Sequence, residues 1–371
     1  MALSKVDLAN QVENQLPQNL VANNLPFRNI IINGDMSIAQ RSTGSETITG
    51  TGYYTVDRFI MNVHPDFASI GTMAQNLDSL TPPDYFNNYV GLQIDTATTP
   101  SGDVYYNFRQ QVEGNNIGNL KFGTSSAKTI TISFWVRSTL TGNFSFSLRN
   151  QSSDRSFVTT YNIATANTWE KKTITIQGDT SGTWGLGNGI GLTVNWGLGN
   201  STGSFSTSTL NSWQEGSKTG ATTGVDLVAT ANAKWYITGV QLEVGSAASD
   251  FEFLPVDVNL QRCLRYYEQQ NYPASQGANF ALCVSQAYNT TSTVGTFQYK
   301  VRKRTSPTIS ASGSSIQAFN AGAGGAGGSI SFDNISEDGT RIIVSGASGL
   351  VAGNASGVFF SDAILKINAE L

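Results

Sequence analysis

The side chains that could carry catalysis are few, and none stands in a recognisable catalytic arrangement. His64 is the only histidine of the 371 residues, so a Ser–His–Asp relay would have to use it. The HPD run at residues 64–66 has no nucleophile motif beside it. A metal site that needs two histidines is excluded. We therefore expect His64 to be a surface or loop residue.

Carboxylates are the second group to consider, because two of them can hydrolyse a glycosidic bond. No acid/base signature surrounds any of those that lie in or beside strand-like segments, so we expect a structural role for them and no catalytic residue. These carboxylates are Asp35, Asp57, Asp95, Glu113 and Glu243.

Three tryptophans are the candidates for binding. Trp184, Trp196 and Trp213 lie in or near segments rich in Gly, Asn and Ser. An exposed indole flanked by amides suits stacking on a sugar face, with the amides binding hydroxyls. We therefore predict that these three rings contribute to a glycan platform. The alternative is that they pack in the core or between subunits, where aromatic residues are common.

Charge and hydropathy narrow the class of protein. A net charge of −4 leaves no basic footprint for nucleic acid. No apolar run approaches the ~18 residues of a membrane span, and the N-terminal residues lack the apolar stretch of a secretory signal, so we expect neither membrane insertion nor secretion by that route.

Cys263 and Cys283 belong to no CxxC motif. We expect two free, buried thiols, with a disulfide as the alternative.

The elements that must position these residues follow from hydrophobic patterning. Residues 27–254 alternate with a period of two between Gly-, Asn- and Ser-rich turns, which predicts an antiparallel β-sandwich of the jelly-roll type. The alternation changes phase at Gly239, which predicts a β-bulge. Residues 274–371 return to a period of two and predict a second, smaller β domain.

Two segments outside these β domains are predicted to be helical. Within residues 255–273, an apolar stripe of Leu260, Cys263, Leu264 and Tyr267 predicts a linker helix. Residues 1–26 form an N-terminal attachment segment, in which Leu8, Val12 and Leu16 recur at helical spacing until Pro17. Such a short helix is marginal alone, so we expect it to pack against its own copies or a partner.

Several longer motifs resemble a family of bacteriophage tail-fibre and virion structural proteins. The resemblance covers roughly Asn29 to Leu371 and leaves out residues 1–25. The opening NGD and the closing ITGVQLE also resemble the ends of carbohydrate-binding jelly-roll modules. The segments that carry the resemblance are NIIINGDMSIAQR (29–41), TVDRF (55–59), TISFWVRS (131–138), NTWEKKTITIQGDTSGTW (167–184), WYITGVQLEVG (235–245) and LQRCLRYYE (260–268).

The resemblance implies a non-enzymatic virion protein, which would be a homotrimeric tail-fibre or appendage subunit. Other virion proteins would bind it through residues 1–26, and it would contact host surface glycans. The alternatives are a tail-spike polysaccharide hydrolase or lyase and a capsid decoration or tail-hub component. Some sugar-binding jelly rolls hold calcium between their first and last strands, which makes Asp35 of NGD a candidate ligand. Gly239 stands where the last strand often supplies an acid, and a turn role for Asp35 is the alternative.

Overall fold

A computed structural model of the chain describes residues 27–83, 85–200, 203–273, 280–320, 323–325 and 328–371. The predicted attachment segment, residues 1–26, lies outside the described residues. The chain divides into two compact units, the first extending to Val256 and the second spanning Asp257–Glu370. Both are built mainly of antiparallel strands, which confirms the predicted fold class. Within the described residues, no helix combines the length and the apolar character needed to span a membrane.

The described part of the first unit contains fourteen strands, each bounded by turns or short 3-10 helices. They are β1 (Glu46–Thr47), β2 (Phe59–Val63), β3 (Gly71–Gln75), β4 (Val90–Ile94), β5 (Tyr105–Glu113), β6 (Ile130–Ser138), β7 (Gly142–Asn150), β8 (Arg155–Ile163), β9 (Glu170–Ile176), β10 (Ile190–Asn200), β11 (Ser206–Thr207), β12 (Trp213–Glu215), β13 (Gly220–Ala221) and β14 (Lys234–Val244).

Two six-stranded sheets make the sandwich. Sheet I has the order β1-β3-β4-β14-β6-β9, and sheet II has the order β12-β8-β7-β10-β5-β2; β11 and β13 form a separate parallel pair. Alternate residues of each strand are apolar and point between the sheets, as Phe144, Phe146 and Leu148 do on β7. A single apolar core therefore lies between sheets I and II.

The opening motif, residues 29–41, forms no regular strand, although the period-two pattern of residues 27–254 includes it. This segment is irregular, and it lies along β14 instead of pairing as a regular strand. The Ile30 amide donates to the Leu242 carbonyl at 2.9 Å, and the Val240 amide donates to the Gly34 carbonyl at 2.9 Å. Gly239 directly precedes Val240 and has a φ of +62°, and the register of β14 against β6 shifts between Thr238 and Gln241. The predicted bulge is confirmed, and it lets the opening segment dock.

The second unit begins around one α-helix, α1 (Val256–Leu264), followed by eight strands. The order is β19-β18-β22-β16-β17-β21-β20, and β15 also pairs with β22. The strands are β15 (Tyr267–Tyr272), β16 (Phe280–Ala287), β17 (Ser292–Gln298), β18 (Thr308–Asn320), β19 (Ala323–Gly325), β20 (Ser329–Asp333), β21 (Gly339–Ser345) and β22 (Ala355–Asn368).

The predicted linker helix is therefore only partly correct. It ends at Leu264, and the residues predicted to extend it form β15, which pairs with β22 along its whole length. Backbone pairing outweighed the weak helical periodicity of this segment, and most of residues 255–273 belong to the second unit. Cys263 and Cys283 are free thiols, as predicted; Cys263 is buried and Cys283 is half-buried.

One buried ion pair stabilises the second unit. Lys303 Nζ lies 2.8 Å from a Glu268 carboxylate oxygen, and both side chains are fully buried. The same Nζ donates to the Leu264 carbonyl at the end of α1, at 2.6 Å. Gln270 Nε2 donates to the other oxygen of Glu268 at 2.7 Å. The pair thus joins the end of α1, β15 and the segment before β18.

Candidate functional site

The outer face of sheet II is polar but largely buried, which is unusual for the outside of a sandwich. Its side chains alternate with the apolar ones that fill the core, and the strand register sets them side by side in rows. One row across β5, β10 and β7 consists of Arg109, Asn195 and Ser147; the next consists of Gln111, Thr193 and Arg149.

Residues 203–224 cross this face and cover part of it. Ser147 Oγ donates to the Thr219 carbonyl at 3.1 Å, and the Ala221 amide donates to Ser145 Oγ at 3.0 Å. The Phe205 ring meets Tyr105 of β5 edge to face, with ring centroids 5.1 Å apart. The covering segment is thus hydrogen-bonded to the strands at one part of the face, and a pocket remains beside it.

This pocket, which we call the sheet II pocket, has a volume of about 280 Å³. Its floor is formed by strand residues and one wall by the covering segment. Its lining includes Tyr105, Arg109, Gln111, Arg149, Thr193 and Phe205. This volume lies just below the usual range for small-molecule sites, roughly 300–1,000 Å³, so the pocket suits a small ligand.

Two arginines give the pocket its charge. Burial lowers the pKa of Arg109, with Tyr53 and Tyr105 acting in the opposite direction. Burial, and then repulsion by Arg109, lowers the pKa of Arg149 to about 10. Both guanidinium groups are therefore cationic at neutral pH. Among the described residues, neither forms a salt bridge with a carboxylate, and the pocket lining contains none.

Several buried polar atoms of this face have no hydrogen-bond partner among the described residues, which is uncommon in folded proteins. They belong to side chains of the pocket and of the rows beside it. The atoms are Arg109 Nε, Arg149 Nε, Gln111 Oε1, Asn195 Oδ1, and Nδ2 and Oδ1 of Asn107. Leaving such groups unpaired costs roughly 1–3 kcal/mol each. A polar ligand that pairs them would recover part of this free energy.

The predicted tryptophan platform is not supported by the positions of its rings. Trp196 is 0% exposed and lies between the sheets against Phe108 and Phe134. Trp184 is 7% exposed, and Trp213 is half-buried with its indole nitrogen donating to the Gln177 carbonyl at 2.7 Å. The expectation of exposure is wrong for Trp196 and Trp184, because their Gly and Asn neighbours lie on strand or loop backbone that packs their rings inward.

His64 lies at a 3-10 helix, where its Nδ1 accepts a hydrogen bond from the Asp66 amide. It is half-exposed, as expected for a loop residue, and its ring meets Tyr105 edge to face at 5.6 Å. It therefore supports a wall of the sheet II pocket through Tyr105.

Buried carboxylates of the first unit have structural partners. Asp57 accepts hydrogen bonds from Gln40 and lies 3.7 Å from Arg41, while burial raises its pKa. Glu243 accepts from the amide and hydroxyl of Ser249. These contacts agree with the structural role predicted for them.

Asp35, the candidate calcium ligand, lies in the turn that docks on β14. Its Oδ1 accepts hydrogen bonds from the amide and hydroxyl of Ser37 at 3.4 and 3.1 Å, which is the pattern of an Asx turn. In the part of the chain that the structure describes, no group of three or more His, Cys, Asp or Glu side chains could hold a metal ion. The turn role fits these contacts, and calcium binding stays a prediction.

Sequence reasoning missed Arg109 and Arg149 as site residues. The signal was present in β5, where Tyr105, Asn107, Arg109 and Gln111 alternate with buried residues that are apolar except for Gln110. Four polar side chains on the same side of one strand indicate a functional outer face. They do not show which other strand lies beside that strand.

No protein-family model and no curated protein sequence matches this chain. Among solved structures, it is similar to the enzymatically active domain of bacteriophage CBA120 tailspike protein 4, with 12% identity and a TM-score of 0.30 over 60% of this chain and 23% of that one. The chain thus spans under a quarter of the tailspike's length.

Two further structures are similar over almost their full length. A family 61 carbohydrate-binding module in complex with β-1,4-galactotriose has 10% identity and a TM-score of 0.29, covering 59% of this chain and 99% of the module. A putative sugar-binding protein from Bacteroides thetaiotaomicron has 11% identity and a TM-score of 0.32, covering 58% and 100%. These scores are too low to transfer a function, so the site is interpreted from its own geometry.

Proposed function

We propose that the first unit is a saccharide-binding module and that the sheet II pocket is its binding site. The observation that carries the proposal is the set of buried amide and guanidinium atoms around one pocket that have no hydrogen-bond partner among the described residues. Sugars present dense hydroxyl groups, and side chains that both donate and accept hydrogen bonds, such as Asn and Gln, match them. Tyr105, half-buried at the pocket wall, adds an aromatic surface.

The proposal predicts that Tyr105→Ala weakens saccharide binding roughly five- to tenfold, since an aromatic contact contributes about 1 kcal/mol beyond area burial. The measurement is retention of the full-length protein on an array of bacterial surface polysaccharides, followed by affinity titration of those retained. Tyr85→Ala is the matched control, because Tyr85 is 89% exposed and lies outside the pocket. If no polysaccharide is retained, or if both variants lose binding equally, the proposed site is wrong.

At the level of the whole protein, we propose a non-enzymatic virion appendage subunit that contacts host glycans through this pocket. The resemblance of its motifs to phage tail-fibre proteins supports this role. Attachment through residues 1–26 and a trimeric assembly are part of the same proposal. Light scattering on the purified protein tests the trimer, and a monomer at micromolar concentration would contradict it. Particle incorporation of a chain lacking residues 1–26 tests the attachment segment.

The alternative of a polysaccharide hydrolase or lyase is tested separately. Each polysaccharide retained on the array is incubated with the protein and its chain length is measured by size-exclusion chromatography. An unchanged length supports a binding role. Progressive shortening that follows protein concentration would replace it with an enzymatic one.

A further inference from the structure

Among the residues described for its lining, the sheet II pocket has two cationic side chains and no carboxylate. A neutral sugar does not require this excess of positive charge. Elsewhere in this chain, the Nε and Nη2 edge of an arginine binds a carboxylate through two hydrogen bonds. Arg155 binds Asp179 in this way at 2.8 and 2.7 Å, and Arg302 binds Glu337 at 3.0 and 2.7 Å. This side-on fork is the geometry in which guanidinium recognises planar oxyanions.

Arg149 presents the same edge without a carboxylate. Its Nη1 donates to Ser217 Oγ at 2.5 Å, which fixes the orientation of the guanidinium group. Its Nε is buried and has no hydrogen-bond partner among the described residues, and the side chain is only 7% exposed. The edge that binds carboxylates in Arg155 and Arg302 is therefore held in a fixed orientation in Arg149, and it has no carboxylate partner among the described residues.

Arg109 adds a second positive charge to the same pocket. Its Nε is also buried and unpartnered among the described residues, and Arg109 lowers the pKa of Arg149 through repulsion. Two cations that repel each other in a partly desolvated pocket destabilise the free protein. An anion between them would offset this repulsion and supply acceptors to both.

We propose that the sheet II pocket selects acidic saccharides, with the oxyanion of the sugar bound by Arg149 and Arg109. This inference rests on the proposed saccharide-binding function and narrows its ligand class. The bound oxyanion is either a carboxylate, as in a uronic acid, or an ester-linked group such as sulfate. The hydroxyl groups of the same sugar would pair with Gln111 and the neighbouring amides.

The test uses the full-length protein and two matched pairs of polymers. Polygalacturonate is compared with its fully methyl-esterified form, and dextran sulfate with dextran. We expect the charged member of at least one pair to bind ten or more times tighter than its neutral partner. Preference within the first pair identifies a carboxylate, and preference within the second identifies an ester-linked oxyanion.

Arg149→Gln and Arg109→Gln are each expected to reduce that preference at least tenfold, because a charge-assisted bidentate contact is lost. Arg137→Gln is the matched control, since Arg137 lies on sheet I beside Tyr236 and should leave the preference unchanged. Thermal unfolding of every variant shows whether it folds. If Arg149→Gln does not fold, the loss of preference in Arg109→Gln tests the proposal.

The outcomes separate this inference from the function on which it rests. If the polysaccharide array shows binding but neither charged polymer binds better than its neutral partner, the acidic selectivity is wrong and the saccharide-binding function stands. The acidic selectivity of this pocket is also wrong if Arg137→Gln reduces the preference as much as Arg149→Gln does. If no polysaccharide binds at all, both proposals fail.

Discussion

Replacing Trp196 with alanine is expected to lower the free energy of unfolding of the first unit by about 3–5 kcal/mol, the usual cost of truncating a core tryptophan. Trp196 is fully buried, and its ring contacts aromatic side chains of both sheets. Its ring centroid lies 5.6 Å from those of Phe134 and Phe146. The substitution would remove a contact shared by β10, β6 and β7 and leave a large cavity.

Urea denaturation of the full chain, followed by tryptophan fluorescence and circular dichroism, measures this loss. Trp169→Ala is the control, because Trp169 is half-buried outside the core and its indole nitrogen donates to the Thr81 carbonyl at 3.0 Å. We expect a smaller loss there. Normal stability of Trp196→Ala together with lost saccharide binding would contradict the core position and restore the tryptophan platform.

Replacing Glu268 with glutamine is expected to destabilise the second unit by about 3–5 kcal/mol at neutral pH, because it leaves the Lys303 ammonium buried without its counter-charge. Burial already lowers the pKa of Lys303, despite the opposing effect of Glu268. In the variant, the folded-state pKa of Lys303 should fall further below its unfolded value. The unfolded state then binds more protons, so the variant should regain stability as the pH rises towards 10.

Denaturation of Glu268→Gln at pH 6, 7.5 and 9 measures both the loss and its pH dependence. The double variant Glu268→Gln/Lys303→Met should recover much of the lost stability, since it removes both charges. Glu337→Gln breaks the more exposed Arg302–Glu337 pair and should change stability little. A loss in Glu268→Gln that does not change with pH would show that the buried lysine charge is not its cause.

Patterning along the sequence predicted most of the first unit, because its strands are buried on one face and their period of two is regular. The bulge at Gly239 followed from this alternation, and it is where the pattern placed it. The same alternation runs through Leu192, Val194 and Trp196. There the neighbouring Asn195 and Gly197 resembled a turn, although they lie on the outer face of a strand.

Two features depend on tertiary pairing and could not be derived from local sequence. The helical stripe of residues 260–267 reaches the start of β15, but from Tyr267 onward the backbone pairs with β22, more than 90 residues away. Arg109 and Arg149 belong to strands separated in sequence, and only the order β5-β10-β7 brings them to one pocket. A pocket on a sheet surface is therefore the least predictable part of such a fold, even when each strand is predicted correctly.

The construction of the sheet II pocket also bears on how its specificity can evolve. Strands form the floor of the pocket, and the opposite faces of these strands form the core. Substitutions of floor side chains are therefore compatible with the fold as long as the strand backbone is kept. Its wall at Phe205 and Thr219 belongs to loops on either side of β12, where length and composition change at little cost to the sandwich. Insertions near Phe205 would reshape the pocket while Arg109 and Arg149 stay on β5 and β7. Variants that recognise different acidic sugars could thus diverge by changes in one segment.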